Sequence, residues 1–250
     1  MGQYAIEFDS VRKQYRENIV LSQISFQIEP GEFVGLVGVN GAGKTTIIKC
    51  LLDFAALTSG SIKIYGVTHT ETDSRSKLVF LPEKFMPPYY LTGKDFLKYS
   101  LELHKINYDE HEVNSILDVL DLDRNALLKP VRQYSKGMAQ KIGLASCLLS
   151  EKELFIFDEP MSGLDPKARA NLKQHLLMLK DKGKSLFFST HLLDDVNFLC
   201  DRIIILHGGD IRFFGSPAEC IKQYKVDNLE QAYMQCIGNN TGEPVNSTVI

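Results

Sequence analysis

The sequence predicts an α/β fold in which a parallel β-sheet is interrupted by a helical insertion. Apolar runs at 33–37, 154–157 and 185–189 lack polar alternation, which is typical of strands buried on both faces of a parallel sheet. Helical patterns separate these runs, and residues from about 92 to 150 carry helical patterns alone. Strands that alternate with helices favour a parallel sheet, and the long helical stretch indicates an insertion.

Length, composition and charge restrict the class of protein. The chain has 250 residues, 44% apolar and 24% charged, so it is long enough for a large core and unlike a disordered chain. Lys and Arg total 28 against 31 Asp and Glu, a net charge of −3 that argues against a nucleic-acid partner. No apolar run approaches the roughly 18–20 residues of a membrane-spanning helix, and the first residues lack a secretory-signal pattern. We therefore expect a cytoplasmic protein.

Short β-rich runs dominate the first third of the chain. The predicted strands cover residues 5–8, 19–21, 24–28, 33–37, 61–65 and 78–81. Pro30 and Gly31 mark a turn before the buried run at 33–37. That run leads into a glycine-rich loop and a helix with one apolar face, whereas 61–65 is predicted as an edge strand.

Amphipathic helices follow, and strands return after residue 150. Positions i, i+3, i+4 and i+7 of one predicted helix are Val113, Ile116, Leu117 and Leu120. The later predicted strands are 154–157, 185–189 and 203–206. A further helix starts at Pro166, because proline is favoured in a first helical turn. The apolar stripe at 229–236 favours a last helix that covers its own core over one that binds a partner.

A glycine-rich loop at 38–46 matches the phosphate-loop pattern G-x-x-x-x-G-K-[ST]. A buried strand precedes it and a helix follows, which is the context that this pattern requires. Glycines let backbone N–H groups approach phosphates, Lys44 suits the β- and γ-phosphates, and the Thr45 hydroxyl suits Mg²⁺. The residues predicted to bind nucleotide here are Asn40, Gly41, Gly43, Lys44, Thr45 and Thr46. The loop predicts a nucleoside triphosphate site with Mg²⁺.

Two carboxylates, Asp158 and Glu159, follow the apolar run at 154–157. Ligands bind at the carboxyl ends of strands in open α/β sheets, so we expect Asp158 to hold Mg²⁺ and Glu159 to polarise an attacking water. His191 follows another strand and is interpreted as a γ-phosphate contact that holds this water in line. Taken alone, the two acids could be a charged strand end, and a single histidine is more often an ordinary surface or core residue.

Three further segments resemble motifs of the ATP-binding cassette (ABC) ATPases. Residues 134–140, Tyr-Ser-Lys-Gly-Met-Ala-Gln, resemble the signature segment that opens a helix, with Lys136 replacing a glycine and Met138 replacing a glutamine. Residues 162–166 resemble the loop at the dimer interface of that family. Residues 189–191, Ser-Thr-His, resemble its switch-histidine motif.

The resemblance covers about residues 4–237 and carries a fold with it. It implies a P-loop NTPase core with a parallel sheet, an N-terminal antiparallel β subdomain and an inserted α-helical subdomain. The implied organisation is a single nucleotide-binding domain at 1–237, with the helical insertion at about 84–150 and a polar, flexible tail at 238–250.

The resemblance also assigns roles to individual residues. Tyr15 matches the aromatic residue that stacks on adenine, and the alternative is an ordinary tyrosine at a strand end. Ser135 and Gly137 match the residues that bind the γ-phosphate of the ATP held by a partner subunit. Glu83 stands where the family has a glutamine; its oxygen can ligate Mg²⁺, and the alternative is a solvated loop acid.

The implied function is that of an ATPase subunit that powers a membrane transporter through ATP-driven dimer closure. Its expected partners are a separately encoded integral membrane permease and a second ABC subunit, expected to be a second copy of the chain. The family's permease groove corresponds to 85–91, which could instead pack within the insertion. The signature segment and the sequence Leu-Glu-Gln-Ala-Tyr at 229–233 resemble those of bacterial exporters. The chain would then lie on the cytoplasmic face of the membrane.

Two other functions stay open at this point. The first is a soluble mechanical ABC ATPase that acts on ribosomes or DNA, although the long coiled-coil insertion and the second cassette of those proteins are missing. The second is a nucleotide-dependent regulator without useful hydrolysis, which the presence of Glu159 and His191 argues against.

Overall fold

The computed structural model describes residues 3–238, and its backbone follows the predicted alternation of strands and helices. The described residues divide into two structural units, one formed by 3–77 and 185–238 and the other by 78–184. Within 3–238, no helix combines the length and the apolar character that a membrane crossing needs. The predicted flexible tail lies outside the described residues, apart from Gly238.

The first part of the chain is rich in strands, and helices and strands alternate in the later part. In chain order they are β1 (Ile6–Tyr15), β2 (Asn18–Ile28), β3 (Phe33–Val37), α1 (Lys44–Leu51), β4 (Ser59–Ile64), β5 (Val67–Thr68), β6 (Leu78–Leu81), α2 (Gly93–Leu103), α3 (Glu110–Val119), α4 (Lys136–Leu148), β7 (Leu154–Asp158), α5 (Pro166–Asp181), β8 (Ser185–Thr190), α6 (Leu193–Leu199), β9 (Arg202–His207), β10 (Asp210–Gly215), α7 (Pro217–Tyr224) and α8 (Leu229–Gly238). Short 3₁₀ turns cover Thr72–Arg75, Arg124–Leu128 and Val131–Gln133.

In the first unit, β1, β2, β4 and β5 form an antiparallel sheet in the order β2-β1-β4-β5. Its apolar face is buried, and Phe8 stacks on Phe26 with their ring centroids 4.5 Å apart. A bulge near Ser10 shifts the register of β1, and Gly60 lies opposite with a φ of 89°. A Cβ at Gly60 would lie 2.5 Å from the Ser10 oxygen, so the bulge requires glycine there. The edge-strand prediction for 61–65 is wrong, because β4 lies between β1 and β5.

A second group of strands in this unit has the order β10-β9-β3-β8. β3 runs parallel to both β8 and β9, and every residue of β3 and β8 is buried. The absence of alternation in their sequences is explained by this burial on both faces. In α8, Leu229, Ala232 and Cys236 are buried, so the apolar stripe covers the chain's own core as predicted.

In the second unit, β6 and β7 form a parallel pair, and helices α2, α3 and α4 lie between them in the chain. Thr92 and Asp109 cap α2 and α3 through side-chain oxygens that accept hydrogen bonds from backbone N–H groups. Residues 140–148 of α4 are all buried, which makes α4 the central helix of this unit. The predicted fold class, including the helical insertion, is confirmed. The boundaries given for the domain stay a prediction.

Candidate functional site

The glycine-rich loop joins the carboxyl end of β3 to the first residue of α1. Gly43 is the N-cap of α1 with a φ of 110°, and no side chain caps this helix. The N-terminus of a helix that follows a glycine-rich loop favours an anion, because its N–H groups and its dipole point toward the ligand. The buried Lys44 donates from Nζ to the Gly38 carbonyl oxygen at 2.6 Å and closes the loop.

Residues of β2 and β9 lie close to one side of this loop. A Cβ at Gly38 would lie 2.5 Å from the Leu206 carbonyl oxygen, and a Cβ at Gly43 would lie 3.0 Å from Leu21 Cδ2. The backbone oxygen leaves no room for a side chain at Gly38, and the φ of 110° favours glycine at Gly43. On the other side, Asn40, Gly41 and Thr45 are exposed and Thr46 is half-buried. Of the predicted phosphate-binding residues, Asn40, Gly41 and Thr45 therefore face solvent, whereas Gly43 and Lys44 are buried within the loop.

The position of His191 relative to the phosphate loop follows from strand register. Val37, the last residue of β3, pairs with Thr190, the last residue of the parallel strand β8. His191 therefore leaves the sheet at the same edge as the loop that begins at Gly38. Its side chain is exposed, and the Thr190 hydroxyl accepts a hydrogen bond from the backbone N–H of Leu192 at 3.1 Å.

Tyr15 ends β1 and is 45% exposed. The ammonium nitrogen of Lys13 lies 4.4 Å from the centroid of its ring. A ring with one face covered and a large exposed area has the form that base stacking needs, and the tyrosine is not part of the buried core. The adenine role of Tyr15 stays a prediction.

The predicted acidic residues follow the paired strands of the second unit. Leu81 pairs with Phe157, so Asp158, the last residue of β7, and Glu83, two residues after β6, both lie at the carboxyl end of this parallel pair. Asp158 is 3% exposed and Glu83 is exposed. Glu159 has a φ of 51°, a left-handed conformation that non-glycine residues rarely adopt and that concentrates at functional sites. The burial of Asp158 and the left-handed backbone of Glu159 distinguish these two acids from an ordinary charged strand end.

The signature segment begins α4. Ser135 is the N-cap of α4 and accepts a hydrogen bond from the Met138 N–H at 3.2 Å. Gly137 lies against the loop at 162–166, since a Cβ at Gly137 would be 2.8 Å from the Gly163 carbonyl oxygen. The structure thus brings together two segments, 134–140 and 162–166, that the sequence singled out separately.

A charged network holds these two segments in place. Lys141 Nζ donates to Asp165 Oδ2 at 2.7 Å and to the Asp121 carbonyl oxygen at 2.9 Å. Lys167 Nζ donates to Asp121 Oδ1 at 2.6 Å. A cavity of about 490 Å³ beside this network is lined in part by Ser135 and Gly137. Lys141 fixes the loop at 162–166 relative to α4, and the sequence alone did not indicate this role.

Asp165 gives the network a dependence on pH. It caps α5 by accepting a hydrogen bond from the Ala168 N–H, and this bond, with the one from Lys141, lowers the pKa of Asp165 from 3.8 to about 2. A lowered carboxyl pKa in the folded state means that ionised Asp165 stabilises the fold above its unfolded value. This contribution is lost as the pH falls from about 3.8 to about 2.

We expect Asp165→Ala to be less stable than the wild type at neutral pH, with a difference that shrinks below about pH 4. Urea unfolding followed by circular dichroism, repeated from pH 7 downward, measures this difference. Asp118→Ala is the matched control, because Asp118 pairs with Arg124 on the surface and caps no helix. A difference between Asp165→Ala and the wild type that stayed constant with pH would contradict the assignment.

Known proteins resemble this chain over most of its length. A sequence profile described as "ABC transporter" matches residues 21–162. An uncharacterized ABC transporter ATP-binding protein of Synechocystis is 37% identical over 86% of this chain, which spans 64% of that protein's length. Nod factor export ATP-binding protein I of Rhizobium etli is 32% identical over 88% of the chain and 70% of its own length. A solved ATP-binding subunit of an ABC transporter superposes with a TM-score of 0.84 at 29% identity, over 93% of this chain and 99% of that one.

Proposed function

The chain belongs to the ABC transporter family as an ATP-binding subunit, and from this premise we propose that it hydrolyses ATP to power a membrane transporter. The observation that carries the proposal is the shared sheet edge of the phosphate loop and His191, fixed by the pairing of Val37 with Thr190. Binding alone needs the loop, whereas hydrolysis also needs groups that act on the γ-phosphate and on water.

We propose the following roles in the reaction. The triphosphate binds the N–H groups of the loop and the ammonium of Lys44, with adenine on Tyr15. Glu159 accepts a proton from the attacking water, and the imidazole of His191 holds that water and the γ-phosphate in line. Asn40, Gly41, Gly43 and Thr46 complete the contacts to the phosphates.

The proposed metal ion is Mg²⁺. Its donors in this chain would be the hydroxyl of Thr45 and the carboxylates of Asp158 and Glu83, which are the hard oxygen ligands that Mg²⁺ prefers. Within residues 3–238, no three His, Cys, Asp or Glu side chains form a metal cluster. Bound Mg²⁺ would neutralise charge on the phosphate oxygens.

A second ABC subunit is the first proposed partner. Ser135 is exposed at the start of α4, where its hydroxyl and the following N–H groups suit a phosphate held by another copy. Gly137 offers no side chain that would keep such a phosphate away. In the proposed cycle, ATP binding closes the dimer and hydrolysis followed by release opens it.

The second proposed partner is an integral membrane permease, bound at an aromatic patch in the second unit. Met86, Tyr89 and Tyr90, here called the aromatic patch, are 86%, 69% and 71% exposed. Their neighbour Phe85 instead packs on Phe96, with ring centroids 5.6 Å apart. The patch thus presents exposed aromatic and methionine side chains beside the half-buried Phe85, and such side chains are enriched in interface cores. Binding there would place the chain on the cytoplasmic face of the membrane.

Export is the proposed direction of transport. It is supported by the signature and C-terminal sequences, which resemble those of export subunits, and by the name of the Rhizobium relative. The cargo would be selected by the permease.

The partner is tested by purifying the tagged chain from detergent-solubilised membranes of its host. We expect a polytopic membrane protein at matched stoichiometry, and a loss of about tenfold or more with Tyr89→Ser combined with Tyr90→Ser. Met178→Ser is the matched control, because Met178 is 56% exposed on α5, outside the patch. Ribosomal or DNA-repair proteins without a membrane partner would instead support a soluble mechanical ATPase and contradict the transporter proposal.

A further inference from the structure

Lys13 makes two interactions near Tyr15, the residue predicted to stack on adenine. Its Nζ lies 4.4 Å from the centroid of the Tyr15 ring, within the range of a cation–π interaction. The same Nζ donates a hydrogen bond to the Ala56 carbonyl oxygen at 2.6 Å. The register of β1 against β2 shifts on both sides of Lys13, and such irregularities re-aim side chains. The irregular strand therefore aims Lys13 at one face of Tyr15.

The hydrogen bond to Ala56 belongs to a larger connection between two segments, 12–14 and 56–58. The Gln14 N–H donates to the Thr58 hydroxyl at 2.9 Å, and the Thr58 N–H donates to the Arg12 carbonyl oxygen at 2.9 Å. Residues 56–58 follow α1, the helix that begins in the phosphate loop. Three hydrogen bonds thus connect the end of β1, where Tyr15 lies, to residues 56–58, which follow α1.

We propose that Lys13 is a positioning residue for the nucleobase: its ammonium covers one face of Tyr15 and fixes the ring, so that the opposite face takes the purine. The inference rests on the proposed function, because it requires that ATP binds with its base on Tyr15. A ring held before the ligand arrives loses less conformational freedom on binding. The contribution is confined to the base, since Lys13 is bonded to Ala56 and the ring rather than directed to the phosphate loop.

The experiment compares a ligand that has a base with one that lacks it. Dissociation constants of Mg-ATP and of Mg-tripolyphosphate are measured by titration calorimetry for the wild type, Lys13→Met, Lys13→Arg and Tyr15→Ala. For Lys13→Met we expect weaker ATP binding by about two- to fivefold, the range of an exposed cation–π interaction, and unchanged tripolyphosphate binding. Lys13→Arg keeps a cation over the ring and is expected to restore ATP affinity.

Lys63→Met is the matched control, because Lys63 is an exposed lysine of β4 in the same sheet. It removes the same charge without touching Tyr15, and both dissociation constants are expected to stay at wild-type values. Circular dichroism and the melting temperature show whether each variant is folded. A general loss of stability would weaken the binding of both ligands, whereas the proposed role of Lys13 affects ATP alone.

Three results would overturn the inference. An equal weakening of ATP and tripolyphosphate in Lys13→Met would show a general effect of charge. Unchanged ATP affinity in Lys13→Met, together with weakened binding in Tyr15→Ala, would remove the role of Lys13 and leave the proposed function standing. Absence of ATP binding by the wild-type chain would instead remove the proposed function itself, and the inference with it.

Discussion

Glu159→Gln is expected to lower ATP turnover by about 10²- to 10⁴-fold, the range of a lost general base, while ATP still binds. Glutamine has nearly the same shape as glutamate, but its amide cannot accept the proton of an attacking water at neutral pH. Glu159 follows the buried strand β7 directly, and its backbone there is left-handed. The substitution therefore removes one chemical property and preserves the geometry around it.

Loss of turnover with binding intact has a visible consequence. If ATP binding closes the dimer and hydrolysis opens it, Glu159→Gln should accumulate as a dimer in the presence of Mg-ATP. Phosphate release measures the turnover, and size-exclusion chromatography with light scattering measures the dimer. Both are read in the same preparation with and without ATP.

Glu151→Gln is a stringent control for this prediction. Glu151 is an exposed glutamate whose φ of 56° closely matches that of Glu159, so the same chemical change is made on the same kind of backbone. Glu151→Gln should hydrolyse ATP as the wild type does. Turnover at the wild-type rate in Glu159→Gln would show that another group acts as the base.

Lys44→Ala is expected to weaken ATP binding by about 10- to 100-fold, the loss that follows removal of a hydrogen-bonding partner of a charged group. Lys44 is 7% exposed, and its ammonium already bonds the Gly38 carbonyl oxygen. Alanine would remove the positive charge from the loop and the bond that closes it. Binding and turnover should therefore fall together, in contrast to Glu159→Gln.

Titration calorimetry with Mg-ATP measures this effect, and Lys49→Ala is the matched control. Lys49 lies on the exposed face of α1, in its last turn, so its replacement changes the charge of the same helix without touching the loop. An ATP affinity of Lys44→Ala equal to that of the control would contradict the proposed phosphate site. Melting temperatures separate weakened binding from loss of the fold.

The fold class and the family could be predicted from the sequence, because the signals are local and strong. The buried run at 33–37, the loop that follows it and the helical stretch after residue 92 each have one favoured structure. The position of β4 was predicted wrongly for a reason that lies outside its own sequence. Its first three residues are exposed and only Ile62 and Ile64 are buried, and the strand that covers its outer edge, β5, has just two residues.

Individual contacts of the candidate site could not be predicted, because they join residues that are distant in sequence. The bond from Lys141 to Asp165 and the close approach of Gly137 to Gly163 depend on how α4 packs. Sequence spacing gave one usable signal: Lys141 lies four residues after Gly137, which is one helical turn further along α4. The contact of Lys13 with Tyr15 was harder to predict, because it depends on register shifts in β1 that no local sequence pattern indicates.

The pairing of β3 with β8 makes strand length a molecular ruler. Val37 and Thr190 are held opposite each other by the register of the two strands, and His191 is the next residue along. One residue inserted into β8 would advance its end by about 3.3 Å and turn the following side chain to the other face of the sheet. The number of residues from Ser185 to His191 is therefore as important to the proposed site as the imidazole itself.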